Sequence, residues 1–287
     1  MSGLQDRVIV ITGAGGGLGR AYALFAAAEG AKVVVNDLGG SRDGSGAGTS
    51  MADAVVEEIQ AAGGDAVANY ANIATEAGAR SLIDAALATY GAIHGVVNNA
   101  GILRDTSFAK MTAAEFEAVL NVHLIGSFHV TNAAWPHLRA QGHGRIVMAT
   151  STSGLYGNFG QANYGAAKAG LVGLAATLAI EGRKNNVLVN SVAPMAATRM
   201  TEDVAPAEVL AKLGPEHVAP IVGYLLSDEC TDSGTTYVVG GGSVKKHVLF
   251  ESKGVQFSEP PSLAEVASRW SEVTDVSGAV PGSNPVG

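Results

Sequence analysis

Tyr164 and Lys168 lie four residues apart, and Ser151 stands thirteen residues before the tyrosine. A free tyrosine, with a pKa of about 10, is too weakly acidic to be mostly ionised at neutral pH. A lysine ammonium close by favours the phenolate and lowers that value. On a helix, positions i and i+4 share a face, so Tyr164 and Lys168 can cooperate. The Ser151 hydroxyl can donate to a substrate oxygen. Such a set suits a carbinol that loses its hydroxyl proton while a hydride leaves the same carbon. Tyr-x-x-x-Lys is a weak signal alone, because unrelated helices carry it as a surface pair of little energetic effect. Thr150 and Ser153 compete with Ser151 for its role, and any of the three can simply cap a loop.

A second pattern lies far upstream, the turn Thr12-Gly13-Ala14-Gly15-Gly16-Gly17-Leu18-Gly19. An apolar run leads into it and a helical pattern leaves it. Glycines let a backbone approach a pyrophosphate closely, and the following helix N-terminus supplies N–H donors and a favourable dipole. The spacing is Gly-x-x-x-Gly-x-Gly at Gly13, Gly17 and Gly19; a flexible loop would share the composition but not the position between strand and helix. Asp37 follows 24 residues beyond Gly13. A carboxylate there accepts from both ribose hydroxyls and repels a 2′-phosphate, so NAD is expected rather than NADP. Arg42 is the nearby residue that would argue the other way. Asn98-Asn99-Ala100-Gly101 closes a fourth strand, at the end of an open α/β sheet where ligands bind.

The elements needed to position these groups are legible. Strands are predicted over 7–12, 32–36, 66–70, 93–97, 145–150, 187–192 and 235–239. Helices are predicted over 18–30, 50–62, 75–90, 112–141, 161–184 and 215–227, the 112–141 helix being interrupted near Pro136. The alternation implies a Rossmann-like, doubly wound α/β fold with a seven-stranded parallel sheet flanked by helices. Residues 1–242 form this domain. Residues 243–287 form a short C-terminal extension, in which Ser262 to Glu265 reads as a capping box before one amphipathic helix over 263–273.

Composition narrows the classes of function. The net charge of −8 argues against nucleic acid, which needs a basic footprint. No apolar stretch reaches membrane-spanning length, so no membrane insertion is expected. Cys230 is the lone cysteine, which leaves no internal disulfide and too few soft ligands for a structural zinc site. The N-terminus lacks a signal-peptide layout and the C-terminus carries no peroxisomal address, so a cytoplasmic protein is expected.

Taken together, TGAGGGLG from Thr12, NNAG from Asn98, Asn121, Ser151 and YGAAK from Tyr164 resemble the short-chain dehydrogenase/reductase family over residues 7–242. The resemblance implies roles. Tyr164 is the acid/base; Lys168 lowers its pKa and binds the nicotinamide ribose; Ser151 positions the substrate oxygen. Asn121 distorts its helix and holds a water for proton relay. Cofactor contacts are implied for Gly13, Gly17, Leu18, Gly19, Asp37, Asn72, Ile73, Asn99, Ala100 and Gly101. They are also implied for Pro194, Ala197 and Thr198, in the segment that grips the carboxamide. Two positions depart from the family. Met195 stands where a glycine follows the proline, and Ala71 replaces an acidic residue that often contacts adenine, leaving Asn72 to take over.

VVVNDLGG, VNNAGILRD, YGNFGQANY and IEGRKNN resemble one subgroup more closely, the (3R)-hydroxyacyl-CoA dehydrogenase domains of peroxisomal D-bifunctional enzymes. The expected substrate is therefore an acyl-CoA thioester in lipid metabolism, with a 17β-hydroxysteroid or another ketone as alternative. A remote alternative is a non-catalytic NAD sensor, against which the complete Asn121, Ser151, Tyr164 and Lys168 set argues. The chain is read as a stand-alone, bacterial-type form without the accompanying modules. Tyr156 and Phe159 are candidates for the substrate entrance. Arg104 could meet a CoA phosphate or serve in a structural ion pair. The small residues Gly165, Ala166, Ala169 and Gly173 permit close helix approach, so a homodimer is expected, with a tetramer as a further possibility.

Overall fold

The computed structural model describes residues 3–41, 43–196 and 213–283, in two compact units, 1–245 and 246–287. Ala197, Thr198 and Arg42 lie outside the described residues, as does most of the segment between Pro194 and Pro215.

The first unit is built on an eight-stranded sheet, ordered β3-β2-β1-β4-β5-β6-β7-β8. The strands are β1 Val8–Thr12, β2 Lys32–Asn36, β3 Asp65–Asn69, β4 Gly95–Asn98, β5 Gly144–Ala149, β6 Val187–Pro194, β7 Thr236–Gly240 and β8 Ser243–His247. β1 and β5 are buried at every position. Burial on both faces explains why they read as continuous apolar runs without alternation. The first seven pair in parallel. The eighth strand was not expected. Gly241 and Gly242, both at positive φ (56° and 77°), make a two-residue turn, which can join only antiparallel neighbours. The sequence of β8, Ser-Val-Lys-Lys-His, is mostly exposed and too polar for a buried strand.

Helices cover both faces. One core packs α1 (Gly17–Ala28), α2 (Ser50–Ala61) and α8 (Ala219–Leu226) around Ile9, Ile11, Val33 and Val35. The other packs α3 (Glu76–Tyr90), α5 (Gly126–Ala140) and α7 (Ala162–Gly182) around Val10, Val34, Val96 and Ile146. Strand order reverses between β1 and β4, and a crevice opens outside their C-terminal ends.

The predicted 112–141 helix is not interrupted at Pro136 but is distorted at Asn121, as the family resemblance implies. Helix α4 (Ala113–Leu120), started by a Thr112–Glu115 capping box, passes into a π turn over Asn121–Ile125 and then into α5, which runs through Pro136. Proline deprives a helix of one hydrogen bond but need not end it. The π turn, closed by Gly126 N–H donating to the Asn121 carbonyl, is a local insertion with no compositional signature.

In the second unit the expected single helix is two, α9 (Leu263–Ser268) and α10 (Trp270–Thr274). The Ser262–Glu265 capping box is present. The turn comes at Arg269, whose guanidinium pairs with Glu272 and lies 5.6 Å from the Phe257 ring. Leu263 is 85 % exposed and Trp270 56 %, so the stripe read as a packing face is largely uncovered.

Candidate active site

The glycine turn passes from β1 into α1 through Gly13 (φ 64°) and Gly17 (φ 53°). A Cβ on Gly19 would lie 2.1 Å from the Gly13 carbonyl oxygen and 2.7 Å from Asn99 Nδ2, so only glycine allows α1 this close to β1. Gly16 caps the helix without a side chain, and no acidic residue sits in the first turn. The helix N-terminus is thus free to meet an anion. The turn is tied to the end of β4: Asn99 Nδ2 donates to the carbonyls of Thr12 and Gly13 (3.0 and 3.1 Å), and Thr12 Oγ1 accepts from the N–H groups of Asn99 and Ala100 (3.0 and 3.1 Å). The Asn99 side chain therefore holds the site's frame.

Around this turn lies a cavity of about 420 Å³. Ten predicted residues line it: Gly13, Gly17, Leu18, Asp37, Asn72, Ile73, Asn99, Ala100, Gly101 and Asn121. Ala71 lines it too, as does Arg104. Arg104 Nε donates to the Asp43 carbonyl (3.1 Å), tying the loop around Asp43 to the segment after β4. Asp37 sits at the end of β2. Its Oδ2 accepts from Gly15 N–H (2.8 Å) and its Oδ1 from Gly39 N–H (2.7 Å). A carboxylate has about four acceptor sites, so each oxygen keeps capacity for a ribose hydroxyl. Met195, in place of the family glycine, extends the pairing past Pro194: its N–H donates to the Val239 carbonyl (2.7 Å).

Ser151, Tyr164 and Lys168 converge beside the end of β5. Ser151 caps α6 (Thr152–Tyr156) by accepting from Ser153 N–H (3.1 Å), and its side chain lies beside the Tyr164 phenol, where it favours the phenolate. Of the three neighbouring hydroxyls it is the one on the tyrosine; Thr150 Oγ1 is turned onto the Lys168 carbonyl (2.7 Å). Burial pushes the Tyr164 phenol above its ordinary value; the Ser151 side chain acts the other way, and Asp105 adds to the rise. Lys168 is 3 % exposed, donates from Nζ to the Ala149 carbonyl, and lies 5.5 Å from the Tyr164 ring centroid. Burial brings its ammonium down to about 7. Sequence reasoning assigned the lowering of the phenol's pKa to Lys168. In the structure Ser151 also favours the phenolate, against the burial that opposes it.

Tyr156 and Phe159 do not line the cavity; they are 67 % and 90 % exposed, at the end of α6 and on the loop before α7. Two residues of this region went unread. Asn163, fully buried, accepts from Tyr164 N–H (2.7 Å) and donates to the Arg104 carbonyl (3.0 Å), seating the start of α7. His123, in the π turn, packs edge-on against the Tyr164 ring. Adjacency to Tyr164 was a signal for the first; nothing in spacing marked the second. Among the described residues there is no cluster of metal-ligating side chains and no helix long and apolar enough to cross a membrane.

Comparison with known proteins agrees with this geometry. The family described as short chain dehydrogenase matches residues 7–209. A short-chain type dehydrogenase/reductase of Mycobacterium tuberculosis is 63 % identical over 97 % of this chain and 98 % of its own length. The mouse peroxisomal multifunctional enzyme type 2 is 50 % identical over 96 % of the chain, which spans only 37 % of that enzyme. The solved full-length enzyme of that type from Drosophila melanogaster superposes with a TM-score of 0.83 at 41 % identity, covering 98 % of this chain and 48 % of the other. A 3-oxoacyl-[acyl-carrier-protein] reductase of Synechocystis is 42 % identical over 85 % of the chain and 99 % of its own length. By its glycine turn, its Ser151–Tyr164–Lys168 cluster and these matches, the chain belongs to the short-chain dehydrogenase family of oxidoreductases.

Proposed function

We propose that the protein is an NAD-dependent dehydrogenase of (3R)-hydroxyacyl-CoA thioesters, working in the cytoplasm as a homodimer. The observation that carries the chemical part is the Tyr164 phenol with Ser151 beside it and buried Lys168 5.5 Å from its ring centroid. The substrate class rests on the 50 % identity to the multifunctional enzyme, which spans nearly all of this chain.

The residues fit a dinucleotide. The uncapped start of α1 and the glycine turn suit the pyrophosphate, Asp37 the adenosine ribose, and Asn72 and Ile73 the adenine side of the cavity. Pro194, Ala197 and Thr198 are assigned to the carboxamide, and Lys168 to the nicotinamide ribose. When bound, the nicotinamide supplies the acceptor of the hydride. The chain supplies the rest. Ser151 holds the substrate hydroxyl at the phenol. Tyr164 takes the hydroxyl proton in oxidation and returns it in reduction. Asn121, at the cavity wall and opened by the π turn, is assigned to a water that passes the proton onward. Tyr156 and Phe159 offer exposed aromatic surface for an acyl chain.

The Asp37 carboxylate should make NAD the better cofactor, because a 2′-phosphate would face a like charge. Asp37→Ala should narrow the preference and also weaken NADH binding, since Gly15 and Gly39 lose their acceptor. Steady-state kinetics with both cofactors tests this; a wild type more efficient with NADPH contradicts it.

For the dimer, α7 turns Ala166, Ala169, Gly173 and Ile180 outward, and α5 adds Phe128, 45 % exposed. A Cβ on Gly173 would meet nothing within 4 Å, so this face has room for a second helix. Sedimentation should give a dimer or a tetramer containing it; a monomer at micromolar concentration overturns the assignment.

A second reading is favoured by the Synechocystis reductase: the same position of an acyl thioester, reduced on a carrier protein instead of coenzyme A. Comparing acetoacetyl-CoA with the carrier-bound thioester separates the two.

A further inference from the structure

His123 is 1 % exposed and belongs to no predicted site, yet it touches both halves of the one described above. Its ring stands at 89° to the Tyr164 ring, with centroids 5.1 Å apart. Its Nε2 lies 3.1 Å from the Ile102 amide nitrogen and 2.8 Å from the Ile102 carbonyl oxygen. Ile102 is itself part of the cavity wall. On the far side the ring rests on Gly101, where a Cβ would come within 2.1 Å of Cε1. Ser127 Oγ donates to the His123 carbonyl (2.6 Å), fixing the π turn that carries the ring.

This arrangement costs stability as packing. One ring nitrogen cannot both accept from Ile102 N–H and donate to its carbonyl, and Nδ1 is buried with no partner. A leucine or phenylalanine would fill the volume without an orphaned nitrogen. A buried polar atom left unpaired in this way points to a role beyond packing. Burial and the nearby Lys168 hold the imidazole well below its usual pKa, so it stands neutral against the phenol.

We propose that His123 is a positioning residue: its ring fixes the plane of the Tyr164 ring, and so the direction of the phenol oxygen toward Ser151, while its Nε2 registers that ring against the Ile102 segment of the cofactor cavity. Gly101, on this view, is glycine for the sake of the imidazole. The proposal rests on the reading of Tyr164 as the acid/base. Small displacements of a reacting group from its productive geometry cost about 10²-fold in rate.

The test compares His123→Leu, His123→Phe and Tyr164→Phe in acetoacetyl-CoA reduction with NADH and in the reverse oxidation. His123→Leu removes the ring. It should lower kcat about 10- to 100-fold while the KM for NADH stays within about threefold. The acid limb of the oxidation profile should move up by about one pH unit, because the misaligned phenolate loses Ser151 beside it. His123→Phe keeps the ring and loses the Ile102 bonds. It should hold kcat within about fivefold of wild type. If His123→Leu does not fold, His123→Phe decides alone: a loss of kcat as large as that of Tyr164→Phe overturns the ring-based role. Wild-type kcat and pH profile in folded His123→Leu also overturn it. If Tyr164→Phe is inactive in that same experiment, only the His123 inference falls; if Tyr164→Phe turns over normally, the reading beneath it falls instead.

Discussion

Tyr164→Phe should lower turnover by at least about 10²-fold in both directions while leaving NADH affinity within about threefold of wild type. The substitution keeps the ring, which packs against His123, and removes only the oxygen beside Ser151. Tyr156, the nearest phenol in sequence, is 67 % exposed, whereas the Tyr164 ring is packed against His123. The pH dependence follows from the same group. Oxidation needs the phenolate, and burial raises the phenol's pKa, so oxidation should climb with pH through the alkaline range. Reduction needs the phenol, so it should hold at neutral pH and fall as the raised pKa is crossed. Profiles in the two directions should cross with this sign. An oxidation rate that peaks on the acid side of neutrality would contradict the assignment.

Gly19→Ala should abolish most cofactor binding. The added carbon would sit 2.1 Å from a backbone oxygen and 2.7 Å from the Asn99 amide, neither of which can move without opening the turn. Overpacking of this kind costs about 1–3 kcal/mol, and here the displaced atoms are those that shape the pyrophosphate cradle. NADH affinity, read by fluorescence titration, should fall by at least about tenfold, with a lower melting temperature. Gly48→Ala, where a Cβ would meet only the Gly39 carbonyl oxygen at 3.9 Å, is the control and should bind NADH normally. Equal affinity in both variants would show that Gly19 does not set the cradle.

The parts of this protein that were legible in its sequence are those with a periodic or local cause. β1 and β5 read as buried strands because both their faces are covered. The glycine turn was readable because a tight turn between a strand and a helix has few other compositions. Asp37 was readable because it ends a strand. What stayed hidden depends on partners distant in sequence. Local cost placed a helix break at Pro136, which the helix runs through; the distortion at Asn121, where an i→i+5 bond adds a residue to the turn, came only from the family resemblance. The Lys168 effect on Tyr164 was inferred from charge and spacing; the burial that brings the lysine down to about 7 had no local signal. His123 looked like any helical histidine; only the fold brings Ile102 and Tyr164 to its ring. β8 was missed because its sequence is polar and its pairing depends on a glycine hairpin.

The most direct test of the central claim is a turnover panel followed by NADH absorbance. It would use (3R)- and (3S)-hydroxybutyryl-CoA, a 17β-hydroxysteroid and acetoacetyl carrier protein, each with both nicotinamide cofactors. The account predicts that (3R)-hydroxybutyryl-CoA with NAD gives the highest kcat/KM, and that Tyr164→Phe removes that activity. A preference for the (3S) isomer, for the steroid, or for NADP across the panel would contradict it.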